Sequence, residues 1–168
     1  MMKKNYYLSL GSNIGDKIFN LQQALNVLKE TGNIVSVSSV YRTSPVDMDE
    51  DADYFLNLAL VVESALNPDE MLHRIKGFEC RMGRSDSGAG HFSRIIDIDI
   101  LQVDHMVICQ ADLFIPHPKM TERAFVLVPL NEIAPQLLHP VLKKKVADIL
   151  SELQSKESVE KYSGKLMV

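Results

Sequence analysis

Apolar residues fall in short bursts along the chain, and their spacing alternates between the two-residue period of strands and the 3.6-residue period of helices. Tyr6 to Leu10 form a brief apolar run that stops at Gly11-Ser12-Asn13-Ile14-Gly15, where two glycines permit a tight turn. Ile18, Leu21, Leu25 and Leu28 then recur at helical spacing, and Gly32 sits where a C-terminal cap belongs, predicting a helix over residues 16 to 31. Ile34, Val35, Val37, Val40 and Tyr41 predict a β-branched strand ending at Arg42-Thr43-Ser44-Pro45, and Phe55 to Glu63 a second, mostly apolar strand of the kind found inside a sheet. Asn67-Pro68-Asp69-Glu70 is a helix start with an Asn cap, Pro at the first turn and Glu placed for a capping box; Met71, Leu72, Ile75, Phe78 and Met82 supply the buried stripe up to Gly83. Arg94 to Leu101 is the clearest strand, with a further short one expected near Met106 to Cys109.

The order β-α-β-β-α-β over residues 6 to 101 is that of the ferredoxin-like split βαβ pattern, an antiparallel sheet with two helices on one face. The expected class is α+β. Beyond it come a Pro-rich loop at Ile115-Pro116-His117-Pro118, an apolar helix near Phe125 to Ile133 and a charged helix near Lys143 to Gln154. Neither a repeat nor a linker interrupts the chain, so residues 1 to 168 read as a single domain with a C-terminal helical extension.

Composition agrees and removes several function classes. With 168 residues, 46% hydrophobic and 24% charged, the chain has the material for one ordinary core. Lys+Arg 18 against Asp+Glu 22 leaves a net charge of −4, so no overall basic field is available for a nucleic-acid backbone or an anionic membrane. Cys80 and Cys109 make neither a CxxC pair nor a metal spacing, which favours a reducing cytoplasm. The N-terminus lacks the apolar core and cleavage site of a leader, and no apolar run approaches the roughly 20 residues that span a bilayer.

Chemistry concentrates around Ile96-Asp97-Ile98-Asp99-Ile100. On a strand the isoleucines face the core, while both carboxylates emerge on the other face roughly 7 Å apart. That arrangement suits hard divalent cations, which take carboxylate and phosphate oxygens. Five of the six arginines, Arg74, Arg81, Arg84, Arg94 and Arg123, lie between residues 74 and 123. Guanidinium groups bind phosphate bidentately, so the combination has the composition of a nucleoside triphosphate site. Other readings are weaker. The 11 to 15 turn matches neither the GxxxxGK[ST] nor the GxGxxG phosphate loop and is better read as a strand-to-helix turn with Asn13 facing a ligand. His73, His91, His105 and His139 have no zinc spacing, and the five acidic residues between Val46 and Asp53 lack the pattern of a calcium loop.

Taken together, Gly11-Ser12-Asn13, Phe55-Leu56-Asn57, Glu79 to Arg84, Arg94 to Leu101, and Ile115 to Met120 with Arg123-Ala124-Phe125 resemble the 6-hydroxymethyl-7,8-dihydropterin pyrophosphokinase family. The likeness runs in order from about Tyr6 to about Pro140. It implies a ferredoxin-like enzyme of folate biosynthesis that transfers pyrophosphate from MgATP to the hydroxymethyl group of the dihydropterin and releases AMP. By position, Asp97 and Asp99 resemble the ligands of two Mg²⁺ ions, and Arg84 and Arg94 the arginines that meet the transferred group. The likeness places Glu79, Lys76, His117 and Arg123 beside ATP. Phe125 and Phe55 resemble the aromatic clamp on the pterin and Asn57 the side chain that reads its amide edge, with Ser44, Val46, Asn13 and Asp97 also on the pterin side. It further implies a cytoplasmic monomer that binds no nucleic acid.

Three positions depart from the family pattern. His91-Phe92-Ser93 stands where Trp-Gly-Pro is usual, Pro118 where Tyr follows the histidine, and Asp112 at a usually basic position. These affect loop contacts and ATP affinity but not the carboxylate pair. Two other readings fit the same fold: a palm-like two-metal nucleotidyl transferase, which would release pyrophosphate instead of AMP, and a non-catalytic ferredoxin-like binding module. Against an RNA-binding module stand the missing RNP1 pattern and the acidic balance.

Overall fold

The computed structural model describes residues 2–43, 54–83 and 94–167. Its first half is built from β1 (Lys4–Ser12), α1 (Lys17–Lys29), β2 (Asn33–Val37), β3 (Tyr41–Thr43), β4 (Phe55–Ser64), α2 (Pro68–Arg81) and β5 (Asp97–Val103). There follow β6 (Ile108–Cys109), β7 (Phe114–Ile115), a single 3₁₀ turn, α3 (Ala124–Ile133), α4 (Val146–Glu152) and β8 (Val159–Lys161). The main sheet runs β5-β1-β4-β3-β8, with β2 also on β4, and every pairing is antiparallel. The ferredoxin-like order is therefore present, with a strand added at one edge.

Alternation along the strands divides the interior in two. Tyr6, Leu8 and Leu10 of β1, Leu56, Leu58, Leu60 and Val62 of β4, and Ile98 and Ile100 of β5 meet Leu21, Leu25 and Leu28 of α1 and Met71, Ile75 and Phe78 of α2. Burying each such side chain contributes roughly 1.5–3 kcal/mol. The opposite face carries a smaller core of Ala59, Leu101, Met120, Val126, Leu127, Leu130, Val146 and Ile149, under α3 and α4. Both α1 and α2 start as the residue types dictate. Asp16 accepts from the Phe19 amide, and Asn67 and Glu70 form the reciprocal capping box.

Several boundaries differ from expectation. The strand expected over Ile34 to Tyr41 is two strands. At the break Ser38 replaces regular pairing with its side chain, whose Oγ accepts from the Ala59 amide at 2.9 Å while its own amide donates to the Ala59 carbonyl. The strand expected from Arg94 begins at Asp97, and it contains a bulge: Tyr7 pairs with Gln102 and Leu8 with Ile100, leaving Leu101 as an extra residue. The short strand near 106 shrinks to β6, and the charged helix near Lys143 to Gln154 to α4, which starts after a loop closed by a bridge between Leu138 and Lys145. β7 and β8 carry no periodic signal long enough to predict.

Candidate active site

One row across the sheet sets the geometry. In register lie Asp97 of β5, Gly11 of β1, Asn57 of β4 and Tyr41 of β3, all on the α3 side. Asp97 and Asn57 are two strands apart, about 10 Å by strand spacing, and the residue between them has no side chain. Gly11 is needed there, because a Cβ on it would lie 2.8 Å from Asn57 Oδ1. Asn57 is 3% exposed and its Nδ2 donates to Thr43 Oγ1 at 2.7 Å, which orients the amide. Phe55 stands two residues along on the same face, half-buried. Beside it Tyr54, on the helix side, is held by the Lys17 ammonium and the Arg42 guanidinium, 4.1 and 4.3 Å from its ring centroid.

The carboxylate edge is built by three anchors. Asn13 is buried, its Oδ1 accepting from the Arg94 amide at 2.6 Å and its own amide donating to the Arg94 carbonyl. The side-chain oxygen expected to face a ligand is thus engaged in holding Arg94. Ser12 and the Ile14 carbonyl both accept from Asn20 of α1, so the Gly-Ser-Asn turn is pinned from inside. Arg94 Nη1 reaches Asp97 Oδ1 at 2.9 Å, both side chains remaining partly exposed. Glu79, on α2 and only 2% exposed, accepts the Ile98 amide at 2.8 Å. Its carboxylate fixes the edge strand between the two aspartates.

The bulge at Leu101 turns a carbonyl outward, and the His117 amide donates to it at 2.7 Å. His117 Nδ1 accepts from the Lys119 amide, so the remaining proton of the neutral ring sits on Nε2, which is left to act as a donor. Burial, helped by the charges of Arg123 and Lys119, holds this imidazole below its ordinary pKa against the opposing pull of Asp97. His117 therefore feels the charges of both Arg123 and Asp97. The Arg123 guanidinium lies 5.6 Å from the centroid of the Phe125 ring.

Helix α3 carries Phe125 into the site. Its far end is fixed by Glu132, which accepts from Tyr41 Oη at 2.6 Å and Ser39 Oγ at 2.8 Å. Its near end touches Glu157, just before the strand that pairs with Thr43. The helix therefore runs against β3 and sets Phe125 toward Phe55 and Thr43, the next pair on this face beyond the row. Of the residues read from sequence, the structure gathers Arg94, Asp97, Asp99, Asn57, Phe55, His117, Arg123 and Phe125 on or beside this face. Lys76 is exposed on α2, one turn from Glu79 and on the helix side of the sheet. Ser44, Val46, Arg84 and the departing triplet His91-Phe92-Ser93 lie outside the described residues, as does the acidic run before Asp53. Sequence reasoning missed Gly11 as a gap, Thr43 as the orienter of Asn57, and Glu132 and Glu157 as anchors of α3. Only pairing register reveals the first two.

Residues 7–135 match the family model described as 7,8-dihydro-6-hydroxymethylpterin-pyrophosphokinase (HPPK). The chain belongs to that family. Among HPPK relatives, it is 40% identical over 133 residues to the 2-amino-4-hydroxy-6-hydroxymethyldihydropteridine pyrophosphokinase of Bacillus subtilis (strain 168), covering 78% of each chain. It is 43% identical over 136 residues to the folic acid synthesis protein FOL1 of Dictyostelium discoideum, spanning 81% of this chain but only 20% of that protein. A solved wild-type HPPK-DHPS of Plasmodium falciparum superposes with a TM-score of 0.73 at 20% identity, over 89% of this chain and 44% of that one. At that identity the superposition speaks for the fold, and it agrees with the HPPK assignment.

Proposed function

We propose that the protein transfers the pyrophosphoryl group of ATP to the hydroxymethyl group of 6-hydroxymethyl-7,8-dihydropterin, releasing AMP, a step of folate synthesis. It is an ATP-dependent pyrophosphokinase. The observation that carries the reading is the register row Asp97–Gly11–Asn57, which sets a carboxylate and an oriented amide on one face of the sheet, Gly11 giving room to the Asn57 side chain, in a chain of this family.

The pterin slot lies between Phe55 and Phe125 on this face of the sheet, with the amide edge of the ring on Asn57, and stacking there adds about 0.5–1.5 kcal/mol beyond burial. Asn13, Ser44 and Val46 belong to the same side. Asp97 and Asp99, two half-exposed carboxylates on one face of an edge strand, offer the oxygen donors that two Mg²⁺ ions take, with phosphate and water completing the shell. When bound, the ions supply charge neutralisation on the phosphates. Arg94, with Arg84, meets the transferred group, while His117 Nε2 and Arg123 donate to the triphosphate; Glu79 and Lys76 stand on the ATP side. The hydroxymethyl oxygen bonds to the β-phosphorus as the bond to the α,β-bridging oxygen breaks. Its proton goes to water, and AMP departs with the electron pair. The protein's task is alignment and charge stabilisation. A monomeric state and a cytoplasmic setting belong to this proposal; among the described residues no helix is long and apolar enough to cross a membrane.

The test is incubation with MgATP and the dihydropterin, separating nucleotides by chromatography. Pterin-dependent AMP is expected, and it should vanish in Asp97→Ala and Asp99→Ala. Release of pyrophosphate instead of AMP would overturn the reading in favour of a nucleotidyl transferase.

A further inference from the structure

The strap of chain after α4 lies beyond residues 7–135, the part that matches the family. It is bound at several points. Glu157 Oε2 accepts from the Phe125 amide at 3.2 Å, β8 pairs with β3 so that Val159 lies opposite Thr43 and Lys161 opposite Tyr41, and the Tyr162 amide donates to the Val40 carbonyl. Tyr162 and Leu166 pack against the main core, and Met167 and Gln22 exchange hydrogen bonds at 2.8 and 2.9 Å. The strap thus touches both sides of the pterin slot: the helix that carries Phe125 and the strand that orients Asn57.

Helix α3 needs such an outside anchor. Its N-cap, Arg123, makes no side-chain cap bond. Pro129, inside the helix, has no N–H to give to the Phe125 carbonyl four residues earlier. The turn bearing Phe125 is therefore short of its own hydrogen bonds at both groups of that residue, and a carboxylate at the helix N-terminus supplies one of them with favourable charge.

We propose that Glu157 is a positioning residue for the pterin site, fixing the backbone of Phe125 so that its ring stands as one wall of the slot. The inference rests on the pterin reading given above. The full chain is compared with Glu157→Ala and Glu157→Gln, the latter keeping a carbonyl acceptor. For Glu157→Ala, KM for the dihydropterin should rise about tenfold, with KM for ATP and kcat within about twofold of wild type. Glu157→Gln should recover most of that loss. Independently of turnover, amide hydrogen exchange at Phe125 should accelerate in Glu157→Ala and be largely restored in Glu157→Gln. The proposal is overturned if pterin KM is unchanged in Glu157→Ala, or if both KM values shift together with a fall in Tm, the mark of general loosening. If wild type turns over no pterin, the functional reading fails, and unaltered Phe125 exchange in Glu157→Ala would sink the anchoring role by itself.

Discussion

Replacing Gly11 by alanine tests whether the gap in the sheet row exists to accommodate Asn57. The new methyl carbon would stand 2.8 Å from Asn57 Oδ1, well inside contact distance. The amide cannot swing away cheaply, since it is 3% exposed and its nitrogen is committed to Thr43 at 2.7 Å. A displaced Asn57 leaves the polar edge of the bound ring without its buried partner, which costs about 1–3 kcal/mol of binding. Since 1.4 kcal/mol is tenfold in an equilibrium constant, pterin affinity should fall about 5- to 150-fold if Asn57 reads the ring. Calorimetric titration with the dihydropterin measures this, and titration with a non-hydrolysable MgATP analogue should show little change. The decisive comparison is a double-mutant cycle. In an Asn57→Ala background the clash partner is gone, so Gly11→Ala should cost almost nothing there. An equal cost in both backgrounds, or undiminished pterin binding by Gly11→Ala, would refute the reasoning.

Two further outcomes follow from the anchors. His139 is 5% exposed, and its Nδ1 accepts from the Val141 and Leu142 amides at 3.3 and 3.1 Å; burial lowers its pKa below 6.5. Because the fold prefers the neutral ring, this stability is fully present above the unfolded value of about 6.5 and declines as pH falls through it, levelling off below the folded pKa. Tm should therefore drop between pH 7.5 and 5.5 by more in wild type than in His139→Asn, whose oxygen can take the same amides without titrating. Glu132 accepts from Tyr41 and Ser39, and although burial opposes it, those bonds hold its carboxyl below the ordinary range, while burial and then Glu132 raise the Tyr41 phenol. Glu132→Ala should cost about 1–3 kcal/mol in denaturant unfolding and bring the Tyr41 phenol down toward its ordinary value in ultraviolet titration.

What could be read from sequence was whatever is encoded locally. The capping box at Asn67, the alternation at Asp97 and Asp99 and the order of elements up to β5 depend on neighbours a few residues away, and all appear in the structure, with the second expected strand divided into β2 and β3. The break at Ser38 was hidden because a serine is unremarkable in a strand until its hydroxyl is seen to take a backbone partner's place. β8 was hidden because Val159-Glu160-Lys161 forms a strand by edge pairing with β3, with no apolar period to announce it. Asn13 shows the same limit: the motif was visible, but not that its side-chain oxygen serves the Arg94 amide. The site was legible as a set of residue types, whereas the devices that orient them required register.

The bulge in β5 shows that a strand has a reading frame of two. Because Leu101 is an extra residue, Asp97 and Asp99 share the slot face with Gln102, while Ile98, Ile100 and Val103 fill the main core and Leu101 joins the second. Deleting Leu101 would remove the carbonyl that holds His117 and one side chain of the second core, yet it would restore plain alternation, leaving Asp97, Asp99 and Gln102 on one face and Ile98, Ile100 and Val103 on the other. A residue inserted elsewhere in β5, with the bulge kept, would exchange faces beyond it, so that either the aspartates would turn toward α1 and α2 or Val103 would leave the core. At the bulge both cores stay in phase when a single residue is lost, and what is lost there is the hold on His117.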